Sequence, residues 1–177
     1  MTGADSALPA VPRHIARFLA KSGIRHRVVS HALLGGEVQT PDDVARLLPI
    51  GIDRIAKTLL VVERPGSQRA ALVVLPVCRR LDLDATARAL NWTEAVLASR
   101  AALADLVGQP VHGVSPFGAP DGVVVLVDLK LCGGPEMLVG AGVPGLEVEI
   151  EPDDLVRSTG AIIGDVGVSN DPDRGSG

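Results

Sequence analysis

Three short segments of this 177-residue chain carry residue types that could do chemistry. The first is Ile55-Ala56-Lys57-Thr58-Leu59-Leu60-Val61-Val62, an apolar, β-branched run with a lysine at its mouth. Only three of the 17 basic residues are lysines (Lys21, Lys57 and Lys130), so arginine is the habitual cation here and Lys57 stands out. A lysine there can bury its stem and present a compact ammonium to a cleft, suited to a phosphate or a developing oxyanion. The plainer alternative, a strand-end lysine reaching for water, stays open on this segment alone. The second segment is His112-Gly113-Val114-Ser115-Pro116-Phe117-Gly118. Gly113 and Gly118 permit backbone conformations closed to other residues, and Pro116 stiffens the middle. Such a loop can aim N–H groups at a carbonyl or phosphate oxygen, or it can be an ordinary turn. The third is Gly140-Ala141-Gly142-Val143-Pro144-Gly145, whose glycines allow a backbone to approach a ligand closely, or simply close a long hairpin.

Several other chemistries find no footing. Lys57-Thr58 lacks the glycines of a phosphate-binding P-loop, and no strand leads into G-x-G-x-x-G. His14, His26, His31 and His112 have no metal-ligand spacing, and no H-E-x-x-H or Cys-x-x-Cys occurs, so neither a metal nor a cofactor is expected. Ser115, His112 and Asp128 could be written down as a triad, but spacing supplies no geometry for one, and chance explains their co-occurrence. Cys78 and Cys132 are too few for a zinc site and are expected to be free thiols in a reducing compartment.

The elements that must position these segments alternate along the chain. Residues 12–22 read as a helix with Pro12 in its first turn, Ile15, Phe18 and Leu19 on one face, and Gly23 as its stop. A short strand follows at Arg27–Ser30, then a loop from Ala32 to Gln39. Thr40-Pro41-Asp42-Asp43 starts a helix that ends before Pro49, with threonine as cap, proline at the first position and carboxylates in the first turn. The lysine strand and Ala70–Val77 form an antiparallel hairpin around Pro65-Gly66-Ser67. With a period of two, Lys57, Leu59 and Val61 share one face, and Thr58, Leu60 and Val62 the other.

Asp82–Leu90 and Ser99–Val107 read as helices, the second stopped by Gly108, while periodicity leaves Ala95–Ala98 undecided between strand and helix. Val123–Val127 reads as a strand buried on both faces. Met137–Gly140 and Leu146–Ile150 read as a second hairpin, and Pro152–Ser158 as a helix. The order implies an α+β fold with a mixed, mainly antiparallel sheet. One domain over residues 1–167 and a flexible tail over 168–177 are expected, because everything after Val168 is polar and rich in Gly, Pro and Asp.

Composition narrows the class further. With 46% hydrophobic residues but only 2% aromatic and no tyrosine, the core must be built from Val, Leu, Ile and Ala. The same scarcity counts against a sheet of stacking aromatics that grips single-stranded nucleic acid. A net charge of −4 argues against a broad footprint on a duplex, though not against contact with a nucleic-acid end. The first residues lack the basic and apolar regions of a signal peptide, and no apolar run reaches the ~18 residues of a membrane span. A soluble, cytoplasmic protein is expected.

Taken together, Ile55–Val61, Gly113-Val114-Ser115-Pro116-Phe117-Gly118, and Gly140-Ala141-Gly142 through Leu146–Ile150 to Asp154-Leu155-Val156 resemble one family. It is the YbaK/EbsC/ProX family of aminoacyl-tRNA trans-editing deacylases, related to the editing domain inserted in bacterial prolyl-tRNA synthetases. The resemblance runs in register from about Val11 to Val166. It implies a YbaK-like fold in which the sheet curls into a partial barrel with helices around it. It also implies hydrolysis of the ester of a mischarged tRNA carrying a small amino acid such as Cys, Ala or Ser. The partners it implies are the acceptor end of aminoacyl-tRNA and an aminoacyl-tRNA synthetase. In such proteins the strand lysine, here Lys57, holds the nucleotide end, and the loop glycine, here Gly113, lies against the ester. By the same resemblance His31, Thr58, Ser115, Pro116, Phe117, Gly140, Ala141 and Gly142 are expected to bind substrate. The chain departs from the family at Val143-Pro144, where a basic residue is frequent, at Ala141, where serine is frequent, and in having no tyrosine near its first strand. A non-catalytic aminoacyl-tRNA or nucleotide binder, and a hydrolase of another small acyl ester, remain alternatives.

Overall fold

The computed structural model describes residues 10–64 and 68–170. Local signals set most element boundaries. Helix α1 (Arg13–Ser22) follows Pro12 and stops at Gly23, whose φ of 62° is left-handed. Strand β1 (His26–Ser30) leads through a 3-10 turn, His31–Leu33, toward helix α2 (Pro41–Leu47). The Thr40 hydroxyl accepts from the Asp43 N–H while the Asp43 carboxylate accepts from the Thr40 N–H, a reciprocal cap that pins the start of α2. Strands β2 (Ala56–Arg64) and β3 (Ala70–Pro76) pair antiparallel with Lys57 opposite Leu75 and Thr58 opposite Val74. The turn expected at Pro65-Gly66-Ser67 lies outside the described residues.

Strand β4 (Arg79–Leu81) precedes helix α3 (Leu83–Leu90), capped by Asp82, and strand β5 (Glu94–Leu97) settles the undecided stretch as β. Helix α4 (Arg100–Val107) ends at left-handed Gly108. Strand β6 (Val123–Asp128) is followed by the hairpin β7 (Met137–Gly140) and β8 (Leu146–Ile150). Helix α5 (Pro152–Thr159) and the short strands β9 (Ile162–Gly164) and β10 (Gly167–Ser169) complete the described chain.

Five helices and mainly antiparallel pairings confirm a mixed α+β fold among the described residues, but no barrel closes. Three sheets form instead, in the orders β5-β2-β3-β6-β9, β1-β8-β7 and β10-β4. Among the described residues the first two share core packing, Val74 and Val127 lying in one cluster with Val139 and Val148, but a single parallel bridge, Ile55 with Leu138, is their one ladder link, so they join at a seam rather than as a continuous ladder. β6 runs parallel to both β3 and β9. Its last four residues are buried as the valine run suggests, while Val124 near its start is 41% exposed. β10 pairs Val168 with Arg80 and Ser169 with Arg79, which carries the ladder into the segment read as tail; residues 171–177 of that segment lie outside the described residues.

The faces of β2 separate as the period of two requires. Leu60 packs with Leu72 and with Leu103 and Val107 of α4, whereas Val61 packs with Val73, Leu90 of α3 and Leu126. A third cluster gathers α1, Phe117, Leu155 of α5 and the inner residues of β7 and β8. A fourth, Val29, Val44, Ile55 and Leu138, glues α2 across the seam between the two larger sheets. No helix of the described residues is long and apolar enough to cross a membrane.

Candidate functional site

A cavity of about 480 Å³ opens along that seam. One wall is the start of β2, from Ala56 to Leu59; a second is α2 with its cap, where Thr40, Pro41 and Val44 face in. The segment Val111 to Val114 forms a third, and Gly140 with Pro144 to Glu147 a fourth. His31 closes one end from the turn after β1.

Glycine is obligatory where two of these walls touch. Gly113 has φ of +83°, and a Cβ there would lie 2.4 Å from the Val143 carbonyl oxygen. From the other side, a Cβ on Gly140 would lie 2.4 Å from the Val114 carbonyl oxygen. The Gly142 N–H donates to the Gly113 carbonyl at 2.7 Å, which clips the loop onto the hairpin. The two glycine segments noted in the sequence are therefore one assembly, locked backbone to backbone.

Lys57 lines the cavity, but its ammonium is engaged. Nζ donates to the Arg79 carbonyl at 2.5 Å and the Val77 carbonyl at 3.3 Å, on either side of Cys78. Burial lowers its pKa below the usual lysine value, opposed by the charge a Cys78 thiolate would bring. The turn that holds Lys57 is itself pinned. Arg79 donates to the fully buried Asp128 carboxylate at 2.7 Å, and the same carboxylate accepts from the N–H groups of Lys130 and Val166.

Two polar groups on the walls lack partners. Among the described residues, Thr58 Oγ1 is buried with no hydrogen bond, and so is Glu147 Oε2. The other carboxylate oxygen, Oε1, lies 3.2 Å from His31 Nε2. Among the described residues that line the cavity Glu147 is the only acid, and none is a serine or a cysteine.

Of the residues singled out from sequence, His31, Lys57, Thr58, Gly113 and Gly140 line this cavity. Ser115, Pro116, Phe117, Ala141 and Gly142 do not. Ser115 is fully buried, clasped through its backbone by the Gln109 side chain, and its hydroxyl accepts from the Phe117 N–H. Phe117 is a core residue 6.0 Å from the Phe18 ring, and Ala141 is buried in the same cluster. Pro116 faces a separate depression near Phe18 and Thr159. Gly142 sits against α1, where a Cβ would meet Ile15. The three residues of the paper triad have unrelated roles: Ser115 and Asp128 hold backbone, and His112 alone reaches the cavity. Glu147 escaped sequence reasoning because it looks like the solvent-side residue of an alternating strand; its one signal was its place beside the glycine hairpin. Cys78 and Cys132 are free thiols.

The walls and their order along the chain coincide with a known pattern. That of the aminoacyl-tRNA editing domain matches residues 36–158, which contain every wall of the cavity except His31. The chain belongs to this editing family. Over 107 residues it is 31% identical to a proline–tRNA ligase of Pelobacter propionicus, covering 58% of this chain but only 18% of the ligase's length. Among solved structures, the hypothetical protein APE2540 superposes with a TM-score of 0.77 at 26% identity, over 88% of this chain and 100% of its own. A candidate trans-editing enzyme for prolyl-tRNA synthetase superposes with a TM-score of 0.76 at 23% identity, over 92% and 100%. Membership gives the departures a location. Ala141 is off the cavity, so a serine there would add no lining group, whereas Pro144 is an exposed residue of the lining, where a basic side chain would add charge.

Proposed function

We propose that this editing domain is a trans-acting deacylase. It hydrolyses the ester joining a small amino acid such as cysteine, alanine or serine to the terminal adenosine of a mischarged tRNA. The observation that carries the reading is the cavity itself: about 480 Å³, walled by the lysine strand and two interlocked glycine segments, in a chain of the editing family. That volume lies in the range of small-molecule sites. Its aliphatic walls, Val38, Val44, Leu59 and Val111, suit a short side chain.

The reaction asks little of a side-chain nucleophile, and the lining offers no serine or cysteine to act as one. An aminoacyl ester is already activated, so positioning and oxyanion stabilisation supply most of the acceleration. Water, the neighbouring ribose hydroxyl or a substrate thiol adds to the carbonyl carbon. The tetrahedral adduct collapses with cleavage of the bond to the ribose oxygen, which takes up a proton. Attack by water releases free amino acid and uncharged tRNA directly; attack by a substrate group first forms a new ester or thioester that water opens. The Gly113 loop lies against the ester, and the unpartnered Thr58 hydroxyl is free to donate to the substrate. An ammonium has three donors. Two from Lys57 go to the carbonyls of Val77 and Arg79, which leaves one for the ribose or phosphate of the nucleotide end.

The test is a panel of tRNAs charged with cysteine, alanine, serine and proline, with release of amino acid followed over time. Turnover of one or more small-residue esters supports the reading, whereas binding without release on every substrate would replace it with a non-catalytic carrier. Neither binding nor release would point to a different acyl ester.

A further inference from the structure

We infer that Glu147 anchors the free α-ammonium of the aminoacyl ester, so that the site takes unblocked amino acids and rejects hydroxyacyl and N-acylated esters. The inference rests on the deacylase reading and deepens it by naming the substrate group that the cavity recognises.

The argument begins with β8, where Leu146, Val148 and Ile150 point into the core and Glu147 and Glu149 project from the other face. The two glutamates have different surroundings. Glu149 is forked by Arg27, which donates to its two oxygens at 2.6 and 3.0 Å. Glu147 faces the cavity with its side chain only 16% exposed, and no arginine or lysine reaches it among the described residues. His31 approaches Oε1, while Oε2 is buried without a partner. A carboxylate oxygen held from water without a donor is costly, and a small cation carrying several N–H groups offsets that cost. The cation is not Lys57, whose ammonium donates to the backbone carbonyls of Val77 and Arg79. The β7 residue opposite Glu147 is Gly140, and the backbone of Gly113 and Val114 packs where a side chain there would stand, which brings the Gly113 loop onto the strand pair that carries the carboxylate. A free aminoacyl ester brings its ammonium one carbon from the reacting carbonyl. Binding it at Glu147 would fix the ester within the same cavity as the Gly113 loop and Thr58.

The experiment compares alanyl-tRNA or seryl-tRNA, whichever the protein releases faster, with the hydroxyacyl-tRNA made from it by nitrous acid deamination. N-acetylated aminoacyl-tRNA is the third substrate. Each enzymatic rate is divided by that ester's spontaneous hydrolysis rate, because the ammonium itself activates the ester. For the unmodified protein the corrected ratio should favour the aminoacyl ester by about 10- to 100-fold, the worth of one charged hydrogen bond. Glu147→Gln should bring the ratio to within about threefold of one, with its thermal midpoint checked to show that it folds. A corrected ratio near one in the unmodified protein would overturn the inference while leaving the deacylase intact. A preference that persists undiminished in Glu147→Gln would overturn it equally. Absence of release from alanyl- and seryl-tRNA, with cysteinyl-tRNA also stable, would remove the deacylase reading and the inference with it.

Discussion

Replacing Gly113 by alanine isolates the interlock between the loop and the hairpin. Two costs add at this position. An L-residue held at φ of +83° is strained by about 1–2 kcal/mol. The new Cβ would also lie 2.4 Å from the Val143 carbonyl oxygen and 2.6 Å from its carbon, both backbone atoms that cannot swing aside. Restoring ordinary contact means moving the loop by about 1 Å, and strain of this kind in packed regions costs about 1–3 kcal/mol. The expected loss of stability is therefore about 2–5 kcal/mol, read from urea unfolding. If that wall lies against the ester as proposed, a 1 Å displacement of it should lower kcat/KM for amino-acid release by about 100-fold. Gly122→Ala supplies the matched control: its φ of +84° imposes the same backbone strain, but nothing lies within 4 Å of the new Cβ and the position is remote from the cavity. It should lose about 1–2 kcal/mol and keep its activity. Were Gly113→Ala to match Gly122→Ala in both stability and turnover, the steric lock would not be what shapes the site.

Lys57→Met, which keeps the stem, should lower release of amino acid by at least about 10-fold if the third ammonium donor serves the substrate. Turnover within threefold of normal would confine Lys57 to holding the β3–β4 turn. Burial depresses the Lys57 pKa, so in the window below the lysine value of 10.5 the unfolded chain binds more protons than the folded one. The stability of the unmodified protein relative to Lys57→Met should therefore rise as pH climbs through that window, seen in urea midpoints at pH 7, 9 and 10. Asp128→Ala removes the buried partner of Arg79, which keeps Asp165 and the Gly167 carbonyl, and takes the acceptor from the Lys130 and Val166 N–H groups; it should destabilise the fold by about 3 kcal/mol by equilibrium unfolding. Cys132, whose thiol pKa is raised first by burial and then by Asp153 and Asp128, should react with iodoacetamide at pH 8 more slowly than free N-acetylcysteine. A Cys78→Ala background isolates that rate.

What could be read from the sequence was what short-range chemistry decides. The reciprocal Thr40–Asp43 cap, the glycine stops at Gly23 and Gly108 and the alternation along β2 all act within a few residues, and each appears as expected. β9 and β10 were missed because three-residue strands are specified by their partners, Leu126 to Asp128 and Arg79 to Leu81, not by their own periodicity. The open seam in place of a partial barrel has a similar cause: one bridge between Ile55 and Leu138 is a tertiary outcome with no local signature. At the site, the glycines marked a close approach, but not that the approach was of one backbone to another. Ser115 has the same composition cue as a ligand-binding serine; only its burial and its bond to the Phe117 N–H show that it builds the loop.

The backbone lock between Gly113, Gly140 and Gly142 also limits how such a site can diverge. Because loop and hairpin meet main chain to main chain, neither can be shifted to widen or narrow the cavity without breaking a contact closer than any side chain would permit. Changes in acceptance are left to the aliphatic wall positions outside the buried clusters, Leu59 and Val111, where adding or deleting a methylene alters the volume and leaves the frame alone. Each such exchange shifts discrimination by about 1–3 kcal/mol. The fold thus separates a frozen chassis from a small set of adjustable studs, and under the proposed reading a change of amino-acid preference is within reach of one or two substitutions.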